Sequence, residues 1–133
     1  MYEIKSSVYE VGGACFNMTT KNIAQVLDLY VERVKTHLKD KLTAVYLFGS
    51  VARGDYTSES DIDIMLVLDM DEHEIRDTRA YITRFADDLD LDYNVLINKF
   101  SIGKNDFEKM ENTRLLFINV QNEGVILYDE KRR

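Results

Sequence analysis

Between Phe48 and Val67 the chain reads FGSVARGDYTSESDIDIMLV, a Gly-Ser turn followed by ten residues, Asp61-Ile62-Asp63 and an apolar run. The apolar run predicts a buried β-strand that opens at Asp61. Residues two apart in a strand point to the same face, so both carboxylates project together. Like charges held that close repel, and a bound divalent cation reverses the sign of that cost. We therefore expect a Mg²⁺ site held by Asp61 and Asp63.

The turn before these aspartates suits a phosphate group. Gly49 lets backbone N–H groups approach an anion without a Cβ in the way, and the Ser50 hydroxyl adds a donor. If a helical turn begins at Ser50, its free N–H groups also point at the anion. Arg53 lies one turn further on and could reach a phosphate as a charged donor. A salt bridge from Arg53 to Asp55 or Glu59 is the alternative.

A third carboxylate would complete a site for nucleotidyl transfer. In that reaction charge builds on phosphate oxygens, and enzymes neutralise it with metal ions held by carboxylates. A strand predicted from Leu91 to Ile97 offers Asp92, which would also help to deprotonate the incoming hydroxyl. Asp90 lies on the same side of that strand and is the alternative.

Size and charge limit the function classes. With 133 residues and 45% apolar content, the chain predicts one globular domain. No apolar run is long enough to span a bilayer, so we expect no membrane-spanning segment. No apolar h-region follows Met1, so we expect no signal peptide. The single cysteine, Cys15, cannot form an internal disulfide, which favours a cytoplasmic location. A net charge of −7 argues against broad nucleic-acid binding.

The pattern along the chain predicts a small α/β (α+β) fold, a mixed sheet flanked by helices. Residues 1–18 form a weakly patterned N-terminal extension: a hairpin arm, a flexible extension, or sequence ahead of an alternative start at Met18. Residues 19–133 form the predicted domain. Its expected order is a helix from Thr20 to Leu38, strands at Leu42–Phe48 and Asp61–Leu68, a helix from the acidic segment Asp69–Glu74 to Leu89, a strand at Leu91–Ile97, helices after Asn105 and over Leu115–Val120, and a last strand at Val125–Tyr128.

The spacing from Gly49-Ser50 to Asp61-Ile62-Asp63 resembles the signature of the DNA polymerase β-like nucleotidyltransferase superfamily. The fuller string, from Phe48 to Gly54 and with Ser60 before the aspartates, is similar to its smallest members. Those are the minimal nucleotidyltransferases, many of them antitoxin partners of HEPN-domain ribonucleases. The resemblance covers roughly 20–128, nearly the whole chain.

This resemblance implies a polymerase β-like nucleotidyltransferase fold in which Gly49 and Ser50 bind nucleotide phosphates while Asp61 and Asp63 hold Mg²⁺. It further implies AMP transfer from ATP to a hydroxyl, with a tyrosine of a cognate HEPN toxin as the expected acceptor and pyrophosphate released. The third acidic position maps to Asp92, with Asp90 as the alternative.

Two rival functions stay open from the sequence. One is a non-catalytic antitoxin that neutralises its partner by direct contact. The other is a small-molecule transferase of the aminoglycoside type, for which the chain is too short to build its own acceptor pocket, although a homo-oligomer could supply one. The sequence leaves the nucleotide base and the oligomeric state undetermined.

Overall fold

The elements of the fold are taken from a computed structural model that describes residues 8–11, 14–17, 21–54, 57, 59–110 and 124–132. In chain order they are β1 (Val8–Val11), β2 (Ala14–Asn17), α1 (Lys21–Leu38), β3 (Leu42–Phe48), α2 (Gly49–Arg53), β4 (Ile62–Leu68), α3 (Glu72–Tyr93), β5 (Ile97–Gly103), α4 (Lys104–Met110) and β6 (Val125–Asp129). Short 3₁₀ turns cover Lys39–Lys41 and Glu130–Arg132.

Four strands form the main sheet in the order β5-β4-β3-β6. The pair β4–β5 is parallel, whereas β3 runs antiparallel to both β4 and β6. This confirms the predicted small mixed sheet with flanking helices. Strands β1 and β2 form a separate antiparallel pair, which agrees with the hairpin alternative for the N-terminal segment.

The two faces of the sheet are packed differently. Helices α1 and α3 cover one face, where apolar residues of both helices meet alternate residues of the strands, such as Ile62, Ile64 and Leu66 of β4. The opposite face carries a smaller apolar cluster, to which β4 contributes Met65 and Val67. Alternation along β4 places Asp63 on this second face, away from the main core.

The start of α3 explains why an acidic segment folds as a helix. The Asp71 carboxylate accepts a hydrogen bond from the Glu74 backbone N–H at 2.8 Å, and the Glu74 carboxylate accepts one from the Asp71 N–H at 3.3 Å. This reciprocal cap satisfies two backbone donors that the first helical turn leaves free. The acidic helix start was predicted correctly, although the helix itself begins at Glu72.

The predicted strand at Leu91–Ile97 is wrong. Helix α3 continues to Tyr93, and the strand that follows is Ile97–Gly103. Asn94 ends the helix in the left-handed region with φ 53, a conformation that asparagine tolerates better than most residues. The strand starts only at Ile97 because parallel pairing with β4 begins there, opposite Ile62.

The predicted helix over Leu115–Val120 lies outside the described residues. Among the helices that the structure describes, none combines the length and the apolar content needed to cross a membrane. Tyr30 is fully buried in α1. Burial raises the pKa of its hydroxyl well above the ordinary value.

Candidate active site

The connection from β3 through α2 brings the Gly-Ser turn beside Asp63. Phe48, the last residue of β3, pairs directly with Asp63 of β4, so Gly49 begins α2 next to that carboxylate. Gly49 has φ +75, and a Cβ at this position would overlap Oδ2 of Asp63 and lie 3.2 Å from its Cγ. Only glycine allows both the backbone conformation and the close approach.

A single amide joins the two predicted metal ligands. Nδ2 of Asn98 lies 3.0 Å from Oδ2 of Asp61 and 3.0 Å from Oδ1 of Asp63. Asn98 is the second residue of β5, and the parallel register sets it directly beside Asp63. All three side chains are partly exposed. The two carboxylates therefore converge on one point near the start of β4.

This convergence fits an oxygen-preferring divalent cation. Two carboxylates aimed at one point supply the hard oxygen ligands that Mg²⁺ takes in proteins, and their repulsion favours a positive partner between them. The Asn98 N–H₂ group is the positive end of an amide dipole and fills this role in the structure. Gly49 borders the same carboxylate, so an anion held by the turn would lie beside the cation.

The other predicted phosphate contacts lie on α2. Ser50 is half-buried in its first turn, and its carbonyl accepts a hydrogen bond from the Gly54 N–H at 3.0 Å. Arg53 is exposed in the last turn of the same helix. Asp55, one alternative partner for Arg53, lies outside the described residues.

The structure does not bring Asp92 to the aspartate pair. Asp92 lies in the last turn of α3 and is exposed, because the helix occupies the segment where a strand was expected. The described part of the chain holds no group of three His, Cys, Asp or Glu side chains that could bind a metal ion, so neither Asp92 nor Asp90 joins Asp61 and Asp63.

Asp90 has a different contact. Its Oδ1 accepts a hydrogen bond from the Ile97 backbone N–H at 3.0 Å, which ties the end of α3 to the start of β5. Burial raises the pKa of Asp90, while the Ile97 hydrogen bond and the charge of Lys99 oppose that rise. This contact gives Asp90 a structural role at the connection between the two elements.

Asn98 is the residue that sequence reasoning missed. It was overlooked because the strand was placed six residues too early, which put Asp92 at the expected position. The available signal was the polar Asn98 directly after Ile97 in a segment, 97–103, that contains Phe100 and Ile102 at alternate positions. Placing the strand there would have set Asn98 beside Asp63.

The chain is similar to known proteins in both sequence and fold. The family described as "Nucleotidyltransferase domain" matches residues 27–122. A Methanocaldococcus jannaschii protein named "putative protein adenylyltransferase" is 36% identical over 107 residues, which are 80% of this chain and 99% of that protein. A Sulfolobus solfataricus protein described as a "putative nucleotidyltransferase" superposes with a TM-score of 0.56 at 23% identity, over 87% of this chain and 96% of the other. A toxin–antitoxin structure with AMP-PNP superposes with a TM-score of 0.48 at 18% identity, over 75% of this chain and 71% of the other, a similarity too weak to bear on function.

Proposed function

Because this chain belongs to the nucleotidyltransferase domain family, we propose that it transfers AMP from ATP to a hydroxyl group of a partner protein. The observation that carries the proposal is the convergence of Asp61 and Asp63 on one point, with Gly49 against the Asp63 carboxylate. A cation and a triphosphate must be held side by side for this reaction. The fold places the Gly49 backbone, the proposed phosphate contact, next to the carboxylates that would hold the cation.

Asp61 and Asp63 are the proposed Mg²⁺ ligands. Their oxygens suit this ion; Asp61 immediately precedes the central strand β4, and Asp63 lies in it as the one residue that is not buried. A bound Mg²⁺ would neutralise the charge that builds on the phosphate oxygens as pyrophosphate leaves. Rigid attachment to β4 means that the protein spends little free energy on positioning these carboxylates.

Gly49 and Ser50 are the proposed contacts to the β- and γ-phosphates, with Arg53 as a further cationic contact at the far end of α2. The lack of a side chain at Gly49 leaves its backbone open to an anion. Ser50 is half-buried in the first turn of α2, at the same end of that helix. In the reaction, the acceptor oxygen bonds to the α-phosphorus, the bond to pyrophosphate breaks, and the hydroxyl proton passes to solvent.

A tyrosine of a HEPN-domain toxin is the proposed acceptor, which makes the protein an antitoxin. Two observations support a protein acceptor. The M. jannaschii relative carries the name of a protein adenylyltransferase. The motif string from Phe48 to Asp63 also resembles that of minimal nucleotidyltransferases, many of which are partners of such toxins.

The test compares two labels of ATP. The protein is incubated with MgCl₂, a HEPN-domain protein encoded in the same genome, and ATP labelled at either the α- or the γ-phosphate. Label from the α-phosphate should appear on the partner, label from the γ-phosphate should not, and chelation of Mg²⁺ should abolish the transfer. Mass spectrometry should find AMP on a tyrosine. Transfer of the γ-label, or α-label transfer that persists in excess EDTA, would refute the proposal.

Asn98 favours a second candidate, a non-catalytic antitoxin that neutralises the toxin by contact. The residue beside Asp63 on the neighbouring strand is a neutral amide, so the described site has two carboxylates where a third would strengthen metal binding. The two candidates separate in a ribonuclease assay of the partner. A non-catalytic antitoxin inhibits equally with and without ATP and Mg²⁺, whereas an adenylyltransferase inhibits only after incubation with both.

A further inference from the structure

Asn98 faces the aspartate pair in an orientation that a bound cation could not accept. Its N–H₂ group donates to Asp61 and to Asp63, both at 3.0 Å, so both amide protons are engaged. Ionised carboxylates only accept hydrogen bonds, which fixes the nitrogen, rather than the oxygen, toward them. A cation placed between the carboxylates would be repelled by these donor protons. The cation and this orientation of the N–H₂ group therefore exclude each other.

The same side chain also carries the group that a cation needs. The terminal torsion of asparagine is broad and roughly two-fold, so a half-turn exchanges Nδ2 and Oδ1 without moving the backbone. Amide oxygens are accepted ligands of hard divalent cations. The parallel register keeps Asn98 beside Asp63 in either orientation.

We propose that Asn98 is the third protein ligand of the cation site, and that its side-chain amide rotates by a half-turn when the ion enters. The inference rests on the proposed function, because it requires a cation between Asp61 and Asp63. In the metal-free protein the N–H₂ group holds the two carboxylates together; in the loaded protein Oδ1 faces the ion.

This arrangement has a consequence for affinity. The site presents two negative charges instead of three, and entry of the ion breaks two hydrogen bonds to Asn98. Mg²⁺ alone therefore binds weakly, and the phosphates of ATP supply the missing negative charge. The cation and the nucleotide are captured together.

The first test follows the amide itself. The side-chain N–H₂ signals of Asn98 are assigned in a ¹⁵N spectrum by their absence in Asn98→Ala, and MgCl₂ is then titrated into the natural protein. The Asn98 protons should be protected from solvent exchange without Mg²⁺ and should lose that protection on saturation. Protection that is unchanged at saturation would overturn the inference, because the amide would still be donating to the carboxylates.

The second test measures binding of Mg²⁺ alone by calorimetry. Asn98→Asp adds a carboxylate and should tighten binding about tenfold, while Asn98→Ala removes a ligand and should weaken it severalfold. Asn105→Asp, on the exposed surface of α4, is the control for added charge and should leave the affinity unchanged. In EDTA, Asn98→Asp should melt at a lower temperature than the natural protein, since three carboxylates then repel one another.

The outcomes separate this inference from the proposed function. Loss of Mg²⁺ binding in Asp61→Asn/Asp63→Asn, with unchanged affinity in both Asn98 variants, leaves the cation site standing and overturns the role of Asn98. Unchanged Mg²⁺ binding in the double aspartate variant overturns the cation site itself. Tighter Mg²⁺ binding in Asn98→Asp and weaker binding in Asn98→Ala, together with loss of exchange protection of the Asn98 protons, support the rotation of the amide.

Discussion

The Asp-x-Asp sequences that begin at Asp61 and at Asp90 fold into opposite arrangements. Asp61-Ile62-Asp63 opens a strand, and both carboxylates reach the same amide of Asn98. Asp90-Leu91-Asp92 lies in a helix, where residues two apart differ by about 200° around the axis. Asp90 accordingly faces the start of β5, whereas Asp92 is exposed. The same Asp-x-Asp spacing brings two carboxylates together in a strand, where side chains two residues apart point to the same face, but not in a helix.

The neighbours reinforce this contrast. Asp63 is flanked by Phe48 on β3 and by Asn98 on β5, so residues from three strands meet there. In the second pair, the Asp90 carboxylate accepts a hydrogen bond from the Ile97 N–H, and burial raises the pKa of Asp90. The first pair therefore concentrates negative charge at one point, and the second contributes one carboxylate to the connection between α3 and β5.

The two aspartate pairs are expected to differ most in their effect on transfer activity. Asp61→Asn/Asp63→Asn should reduce AMP transfer by about a thousandfold or more, because both negative charges that attract the cation are removed. Its folding stability should be unchanged or slightly higher, since a like-charge pair is removed. The matched variant, Asp90→Asn/Asp92→Asn, keeps an oxygen acceptor for the Ile97 N–H and should retain transfer. Equal activity in the two double variants would remove the distinction between the pairs.

A large effect on stability is expected at the turn beside the first pair. Gly49→Ala should lower the free energy of unfolding by about 3 kcal/mol, because the residue has positive φ and its Cβ would overlap Asp63. Gly54→Ala shares the positive φ of 80 and is the control, with an expected cost of about 1–2 kcal/mol. Urea unfolding measures both. A larger loss in Gly54→Ala would contradict the close approach of Gly49 to the carboxylate.

Within the second pair, the two aspartates should differ in stability. Asp90→Ala leaves the Ile97 N–H without its side-chain acceptor and should cost about 1 kcal/mol. Asp92→Ala changes an exposed side chain and should stay within about 0.5 kcal/mol of the natural protein. Urea unfolding of both variants at the same pH provides the measurement. A cost in Asp92→Ala equal to that in Asp90→Ala would mean that the end of α3 is arranged differently.

The smallest expected effect is the pH dependence that Asp90 contributes. Because its folded pKa is raised, the folded protein binds more protons than the unfolded chain between the ordinary and the raised pKa. The contribution of Asp90 to stability is therefore favourable at acid pH and is lost as pH rises through that window. Asp90→Asn should remove this dependence while keeping the acceptor. Its stability relative to the natural protein should rise with pH across the window, and a fall would contradict the raised pKa.

Much of the fold was predictable where local signals agreed with tertiary pairing. The strand Leu42–Phe48, the turn after it and the strand that follows Asp61 were predicted within one or two residues, because apolar runs there are bounded by Gly-Ser and by paired acids. The acidic cap at Asp71 and Glu74 likewise acts within four residues of sequence. Signals of this kind need no knowledge of distant contacts.

The end of α3 could not be predicted in the same way. The segment 91–97 contains Leu91, Tyr93, Val95 and Ile97 at alternate positions, which is also a strand pattern. The helix takes part of it because packing of Leu89 and Tyr93 against the core continues its buried face, and Asn94 ends it in the left-handed region. The start of β5 depends on pairing with β4, a contact over more than thirty residues of sequence. Asn98 was missed for this reason.

The parallel alignment of β5 with β4 determines which side chain donates hydrogen bonds to Asp61 and Asp63. A slip of one residue in that alignment would bring Lys99 in place of Asn98 beside Asp63. The ammonium group would then neutralise the carboxylates permanently, as an internal salt bridge, and no ion from solution would be needed. The proposed cation site and an internal salt bridge are thus separated by a shift of about 3.3 Å along one strand.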